Sequence, residues 1–331
     1  MDILKKIKSL TTEIGVYQHG KLDKPAPEFG YAIEDQARAL LVADSAGNMA
    51  LKKIYLDFII RAKRKDGLLY HFYFEDNKAG FFRNSENGLK PNTEVAFAIT
   101  LWSLLTVFKN EKLNKNIEAI VNKLMEEACK WNSSRAMATA LLGLVNLEHE
   151  NNLENIFKNK LQQLFLNSAS EHWAWFEDYL TYANAIIPWS LWELYLKRKC
   201  AKSLDIALKT TDFLINTCQE GKIPCPIGNN GWYYKGKKKA LFDQQPIDAS
   251  YMVCCLEKAY EATNKKIYLV WAKKWFNWFF GNNINKIQLI DINSGCFDAL
   301  TPDGVNLNQG AESNICYLMA YFAAKRLNIL D

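Results

Sequence analysis

Two kinds of helical pattern alternate along the chain. One is amphipathic and lysine-rich, over residues 48–63, 113–130, 153–166, 202–216 and 265–280. In the last of these, Tyr268, Trp271, Ala272, Trp275, Trp278 and Phe279 form one stripe, with Lys273, Lys274 and Asn277 opposite. The other kind is apolar almost all round, over residues 33–43, 96–108, 136–147, 185–196, 251–260 and 315–324. A helix with that profile must be buried on every side. The six buried helices are expected to start near residues 31, 92, 133, 185, 246 and 309, with one amphipathic helix between each pair. Residues 2–14 supply a sixth outer helix. This alternation predicts an all-α (α/α)6 toroid, an inner ring of apolar helices shielded by an outer ring of amphipathic ones. A superhelical repeat array would also alternate, but it calls for closer self-similarity than these segments have.

The spacing between helices is uneven. Connections from an inner helix out are short, as at Ala46-Gly47 and Lys199-Cys200. Connections back are mostly long: 15–30, 66–91, 167–183, 221–245 and 281–308. In a toroid these emerge together above the N-termini of the inner helices. Loops beyond about 12–15 residues in a compact domain usually carry function, so that end is expected to be the working face. No Pro/Gly-rich linker divides residues 1–331, and a single domain is expected.

Composition narrows the chemistry. Hydrophobic residues make up 49% and charged residues 23%, a globular balance, and 16 Gly with 8 Pro argue against an all-β fold. No apolar run approaches the roughly 20 residues of a membrane helix, and residues 1–10 alternate Lys with Ile and Leu in place of a signal core. A soluble, cytoplasmic protein with no membrane partner is expected. Cys254 and Cys255 are adjacent, Cys129, Cys200 and Cys316 lie in helix-like stretches, and Cys218 and Cys225 have no second pair at zinc spacing. Reduced, buried thiols follow. A net charge of +5 is too small to imply nucleic acid, and Lys235, Lys237, Lys238 and Lys239 read as a solvated loop. His19, His71, His149 and His172 share no metal-ligand spacing, although His71 and His172 fall in rim loops. The absence of a phosphate loop, a nucleophile elbow and a dinucleotide fingerprint removes kinase, esterase and Rossmann readings. No metal and no cofactor are expected.

The long loops and helix starts hold the unusual acids and aromatics. These are Glu34-Asp35 before Arg38, Glu94 after Pro91-Asn92-Thr93, and Glu177-Asp178 after Trp173 and Trp175. Further on come Asp243-Gln244-Gln245 before Asp248, then Asp298, Asp303, Asn306, and Asn308-Gln309 before Glu312, with Tyr182, Trp232 and Tyr233 nearby. Carboxylates, amides and indoles around a concavity suit sugars, whose ring faces stack on aromatics while their hydroxyls take paired polar contacts. Paired carboxylates would supply general acid and base across a glycosidic bond. Each such residue also has a plain reading as a helix cap. Asn308 with Glu312 fits a capping box, and Pro246 fits a first helical position after Gln245.

Five segments resemble the six-hairpin, (α/α)6 domain found beside or fused to group 1 glycosyltransferases. They are residues 31–40 (YAIEDQARAL), 173–188 (WAWFEDYLTYANAIIP), 226–233 (PIGNNGWY), 242–249 (FDQQPIDA) and 295–313 (GCFDALTPDGVNLNQGAES). The resemblance implies a glycosidase-like fold and a role in oligosaccharide or polysaccharide metabolism, with a glycosyltransferase as a partner. Residues 92–96 (NTEVA) depart from the family's Ser-Glu-Asp block followed by Gly-Arg, so no catalytic role is implied there.

Two functions compete. In a glycoside hydrolase, or a related lyase or phosphorylase, Glu177 or Asp178 would be the general acid, desolvated by Trp173, Trp175 and Phe176. Asp243 would be base or nucleophile, with Asp35, Asp303 and Glu312 as rivals. Arg38, Gln244, Gln245, Asn306 and Gln309 would hold hydroxyls. A non-catalytic glycan-binding or scaffolding partner of a glycosyltransferase would keep the aromatic rim without a matched acid and base. A terpene cyclase or prenyltransferase shares the toroid but needs an Asp-rich metal motif or a cyclase acid cluster, and Asp243-Gln-Gln-Pro is neither.

Overall fold

The computed structural model describes residues 2–22, 24–75, 80–84, 93–291 and 295–330. Twelve helices occur among them: α1 (Lys5–Leu10), α2 (Ile33–Ser45), α3 (Met49–Arg61), α4 (Thr93–Val107), α5 (Lys115–Ala128) and α6 (Ser134–Leu144) in the first half. The second half holds α7 (Asn152–Ser168), α8 (Ile186–Arg198), α9 (Ala201–Thr217), α10 (Pro246–Thr263), α11 (Lys266–Asn277) and α12 (Ala311–Arg326). Each even-numbered helix packs on the next, and α12 packs on α2, which closes an inner ring of six. The odd-numbered helices lie outside it, α1 against α12. The fold is the expected (α/α)6 toroid.

Burial follows the sequence pattern. In α4, Val95 to Leu105 is buried without a break, because the helix touches α2, α6 and α5 at once. In outer α5 only Ile117, Ile120, Val121, Leu124 and Ala128 are buried, a single stripe facing inward. Asparagine and serine side chains start several helices: Asn48 accepts from Leu51 N, Asn114 from Ile117 N, Asn151 from Glu154 N and Ser133 from Ala136 N. Pro246 occupies the first turn of α10, as its fixed φ favours.

Two expectations are corrected, the length of the N-terminal helix and the burial of every thiol. The N-terminal helix covers only Lys5–Leu10, because Thr11 turns to extended backbone and bridges Val16. The return connection 129–133 is short, in keeping with its absence from the five long ones. Cys129 is exposed at the end of α5 and Cys200 half-buried, while the other six cysteines are buried; all eight are free thiols. The long connections contain small antiparallel ribbons, such as Tyr179–Leu180 with Tyr233–Tyr234 and Ala299–Thr301 with Gly304–Asn306. Strands of two to four residues leave no periodicity in a sequence. Among the described residues no helix is long and apolar enough to cross a membrane.

Candidate functional site

The inner helices bring their first turns together at one mouth of the ring. From α2 come Glu34, Asp35 and Arg38, and from the first turn of α12 comes Glu312. Arg38 is buried and bridges two carboxylates, with Nη1 3.1 Å from Asp35 Oδ1 and Nη2 2.9 Å from Glu312 Oε2. Its Nε has no hydrogen-bond partner among the described residues. Burial alone would lower the Arg38 pKa, but Glu312, Tyr251, Glu34 and Asp35 outweigh it and hold the guanidinium charged. Burial pushes Glu34 upward, against the pull of Arg38, and pushes Asp35 well upward for the same reason. Glu34 keeps partial exposure and Glu312 is half-exposed, so both can be reached from the loop side.

A second basic centre stands across the ring. Arg135, in the first turn of α6, donates from Nε to Tyr182 O at 2.7 Å and from Nη2 to Asn184 Oδ1 at 2.9 Å. Its Nη1 lies 3.1 Å from Glu177 Oε2, and its guanidinium stands 5.4 Å from the Tyr182 ring centre. Ser134 Oγ donates to Glu177 Oε1 at 2.7 Å. These bonds tie the 177–184 loop to α6 and hold Tyr182 over the mouth, 6.2 Å from the Trp232 ring. Desolvation raises the Tyr182 pKa, with Arg135 opposing and Glu34 and Glu312 adding. The two centres therefore share one electrostatic field.

Buried acids support the rim. Burial raises Asp248 to about 7, only partly offset by backbone N–H groups of Asn184 and Ala183 and by Arg135. Burial likewise raises Asp298, with the Asn308 amide, 3.0 Å from its Oδ2, pulling the other way. Tyr251 lies beneath, its pKa pushed far up by burial. Below it Trp189 packs edge-on against both Tyr251 and Trp102, at 5.7 and 5.3 Å.

Of the residues singled out in the sequence, the structure gathers Asp35, Arg38, Glu312, Glu177 and Tyr182, with Trp232 alongside. Others lie elsewhere. Asp178 is exposed and 3.4 Å from Lys235 Nζ, while Asp303 and Asn306 are exposed on the 299–306 hairpin. Trp173 and Trp175 are buried; Trp173 Nε1 donates to Glu177 O, and both pack on Phe213. Gln244 is a core bracket that accepts from Trp278 Nε1 and donates to Leu241 O. Gln309 is buried and donates to Gly295 O. Gln245 precedes α10 without a side-chain cap bond, and Asp243 and Tyr233 are half-buried, the first two residues before it and the second on the ribbon of Tyr179–Leu180 with Tyr233–Tyr234.

The cap readings divide. Glu312 closes no capping box: Gly310 stands at the N-cap, and Asn308 bonds Gly20 N, Asp298 and His19. Glu94 is a cap, but of the next inner helix, accepting from Asn132 N and Ser133 N at 3.0 and 2.8 Å. Pro91 and Asn92 lie outside the described residues. His71 is no rim contact, since it is buried, stacked on Phe97, and lowered to about 4 by desolvation. His172 is exposed. Arg135 escapes the sequence reading although a signal exists, a lone arginine opening an otherwise apolar helix.

A cavity of about 540 Å³ opens at the opposite mouth, among the C-terminal ends of the inner helices. Its central charges pair internally, Arg326 with Glu257 and Lys258 with Glu193 and Glu261. The long loops and the buried acids with raised pKa lie at the other mouth.

No family profile and no curated protein matches the sequence. The fold is similar to that of D-mannose isomerase, with a TM-score of 0.71 and 10% identity over 98% of this chain and 96% of that one. It is also similar to cellobiose 2-epimerase from Bacillus thermoamylovorans B4167, at 0.67 and 11% over 99% and 96%. A GH76 α-mannanase from Bacteroides thetaiotaomicron matches at 0.62 and 11% over 99% and 95%. These are six-hairpin (α/α)6 toroids that carry different chemistries, so the likeness fixes the architecture and leaves the reaction to the site.

Proposed function

We propose that the chain is a carbohydrate-active enzyme, a glycoside hydrolase or a related lyase or phosphorylase, with the sugar bound across the carboxylate mouth of the ring. The observation that carries this reading is the Glu34–Arg38–Glu312 arrangement. Burial inclines Glu34 to keep its proton, whereas Glu312 is ion-paired to a guanidinium. A buried carboxyl with a raised pKa next to a carboxylate held in an ion pair is suited to acid and base roles. Glu34 would protonate the leaving oxygen, and Glu312 would activate water or attack directly. Asp35 positions Arg38, while Arg135 and Glu177 hold Tyr182 as a stacking face for the sugar. Asp243 and Trp232 are rim contacts in this reading. The fold neighbours, an α-mannanase among them, support a sugar substrate.

A non-catalytic glycan-binding partner of a glycosyltransferase is the second reading. It is favoured by the ion pairing of three rim carboxylates, Asp35, Glu177 and Glu312. The test is an oligosaccharide panel followed by product chromatography on the parent, Glu34→Gln and Glu312→Gln. Cleavage that falls by about 10²–10⁴-fold in either variant, with binding kept, supports the enzyme and its roles. Full turnover in Glu34→Gln removes it as the acid. Binding without any product supports the partner reading, and an isomerised sugar would keep the site but replace the reaction.

A further inference from the structure

The basic loop at 235–239 has no part in the chemistry above, yet its geometry joins it to the same mouth. Tyr179 and Tyr234 face each other across the ribbon formed by Tyr179–Leu180 and Tyr233–Tyr234, with ring centres 6.2 Å apart. Both are unusually exposed for tyrosines on paired strands, 38% and 50%. The Tyr179 hydroxyl reaches back to Glu177 Oε1 at 3.4 Å, so the pair starts where the Arg135 centre ends. Against the same ribbon, at Tyr233, lies an open groove of about 560 Å³ whose lining includes Leu241, Lys237, Lys238, Lys239 and Glu220.

The loop's charges divide into two sets. Lys235 is anchored to Ser168 O and to Asp178, and Lys239 to Thr217 O, Gln219 O and Glu220. These anchors neutralise the nearby acids, Asp178 and Glu220, and fix both ends of the loop. Lys237 and Lys238, between them, are exposed and have no ion-pair partner among the described residues. The groove therefore presents two uncompensated positive charges beside an exposed aromatic pair. A neutral glycan would use the aromatics but leave the lysines idle.

We propose that the substrate is an acidic oligosaccharide, whose sugar units beyond the reacting one cross Tyr179 and Tyr234 and set their carboxylates against Lys237 and Lys238. This rests on the carbohydrate reading of the mouth and adds the substrate class. The groove is a specificity-determining subsite, and the reacting bond stays at Glu34 and Glu312.

The test is calorimetry of the full chain with two ladders of two to about six units, one uronate-bearing and one neutral, at low and moderate salt. The tightest ligand should be a longer uronate oligomer whose affinity drops as salt rises. In Lys237→Ala/Lys238→Ala the ratio of acidic to neutral affinity should fall about three- to tenfold, as two exposed ion pairs allow. Tyr234→Ala should weaken the longer ligands and spare the shortest. Both substitutions are at exposed positions, so failure to fold will not mask the result. A tightest ligand that is neutral, or an acidic one indifferent to the lysines, overturns the proposal while leaving the carbohydrate site standing. If neither ladder binds, both fall together.

Discussion

Burial of Asp248 moves the proton uptake of one carboxyl out of the ordinary aspartate range. The residue is buried in the first turn of α10, its Oδ2 has no hydrogen-bond partner among the described residues, and burial lifts its pKa from 3.8 to about 7. Between those two values the folded chain holds a proton that the unfolded chain has released. This contribution to stability is complete below the lower value, declines with rising pH, and is gone above the higher one. The slope is at most about 1.4 kcal/mol per pH unit. Asp248→Asn keeps the shape and removes the titration. Urea unfolding of parent and variant across this window should show the variant gaining on the parent as pH rises. Parallel curves would mean that the carboxyl is ionised at little cost. Arg135 and Glu312 face the same carboxyl and pull in opposite directions, so the sign rests on desolvation.

At the scale of elements, α6 meets the backbone of α4 closely at Gly143. A Cβ there would stand 2.8 Å from Trp102 Cα and 3.3 Å from Leu101 O, both backbone atoms that no rotamer change can move. Alanine is the better helix former by about 1 kcal/mol, so at a free position Gly143→Ala would stabilise the chain. Here the overpacking, typically about 1–3 kcal/mol, should outweigh that gain. Thermal unfolding is expected to show a lower Tm for Gly143→Ala. An unchanged or higher Tm would mean that the two helices part freely. The same element view explains what the sequence can convey. Helices buried on every side and helices with one apolar stripe write different patterns, and that difference is enough to find all twelve. The ribbons are too short to write any pattern. Asp35, Arg38 and Glu312 stand out because charge at the start of an apolar helix is conspicuous. Trp173, Trp175 and Gln244 stand out equally, yet they serve the core, since motif membership does not reveal which way a side chain turns. Arg135 carries the same signal, but its role, like that of Asp248, depends on the 177–184 loop far away in the chain.

For the whole molecule, the governing feature is that α12 packs on α2, with α1 laid against α12. In an open array the first and last units are special, each having one neighbour. In a closed ring every hairpin has two, and the seam between the last and the first is closed by direct helix packing as the other five are, over a smaller interface. Circular permutation should therefore be tolerated. A chain opened in the exposed turn between α4 and α5, with residue 330 joined to residue 2 by a flexible linker, keeps every inner-ring contact. It is expected to show the parent's helical circular dichroism and one cooperative unfolding transition. A permutant that splits into two transitions would mean that neighbours along the chain must fold together first. If it does not, the order in which the six hairpins are synthesised is historical, and a new N-terminus can be placed wherever a fusion or a tether is wanted.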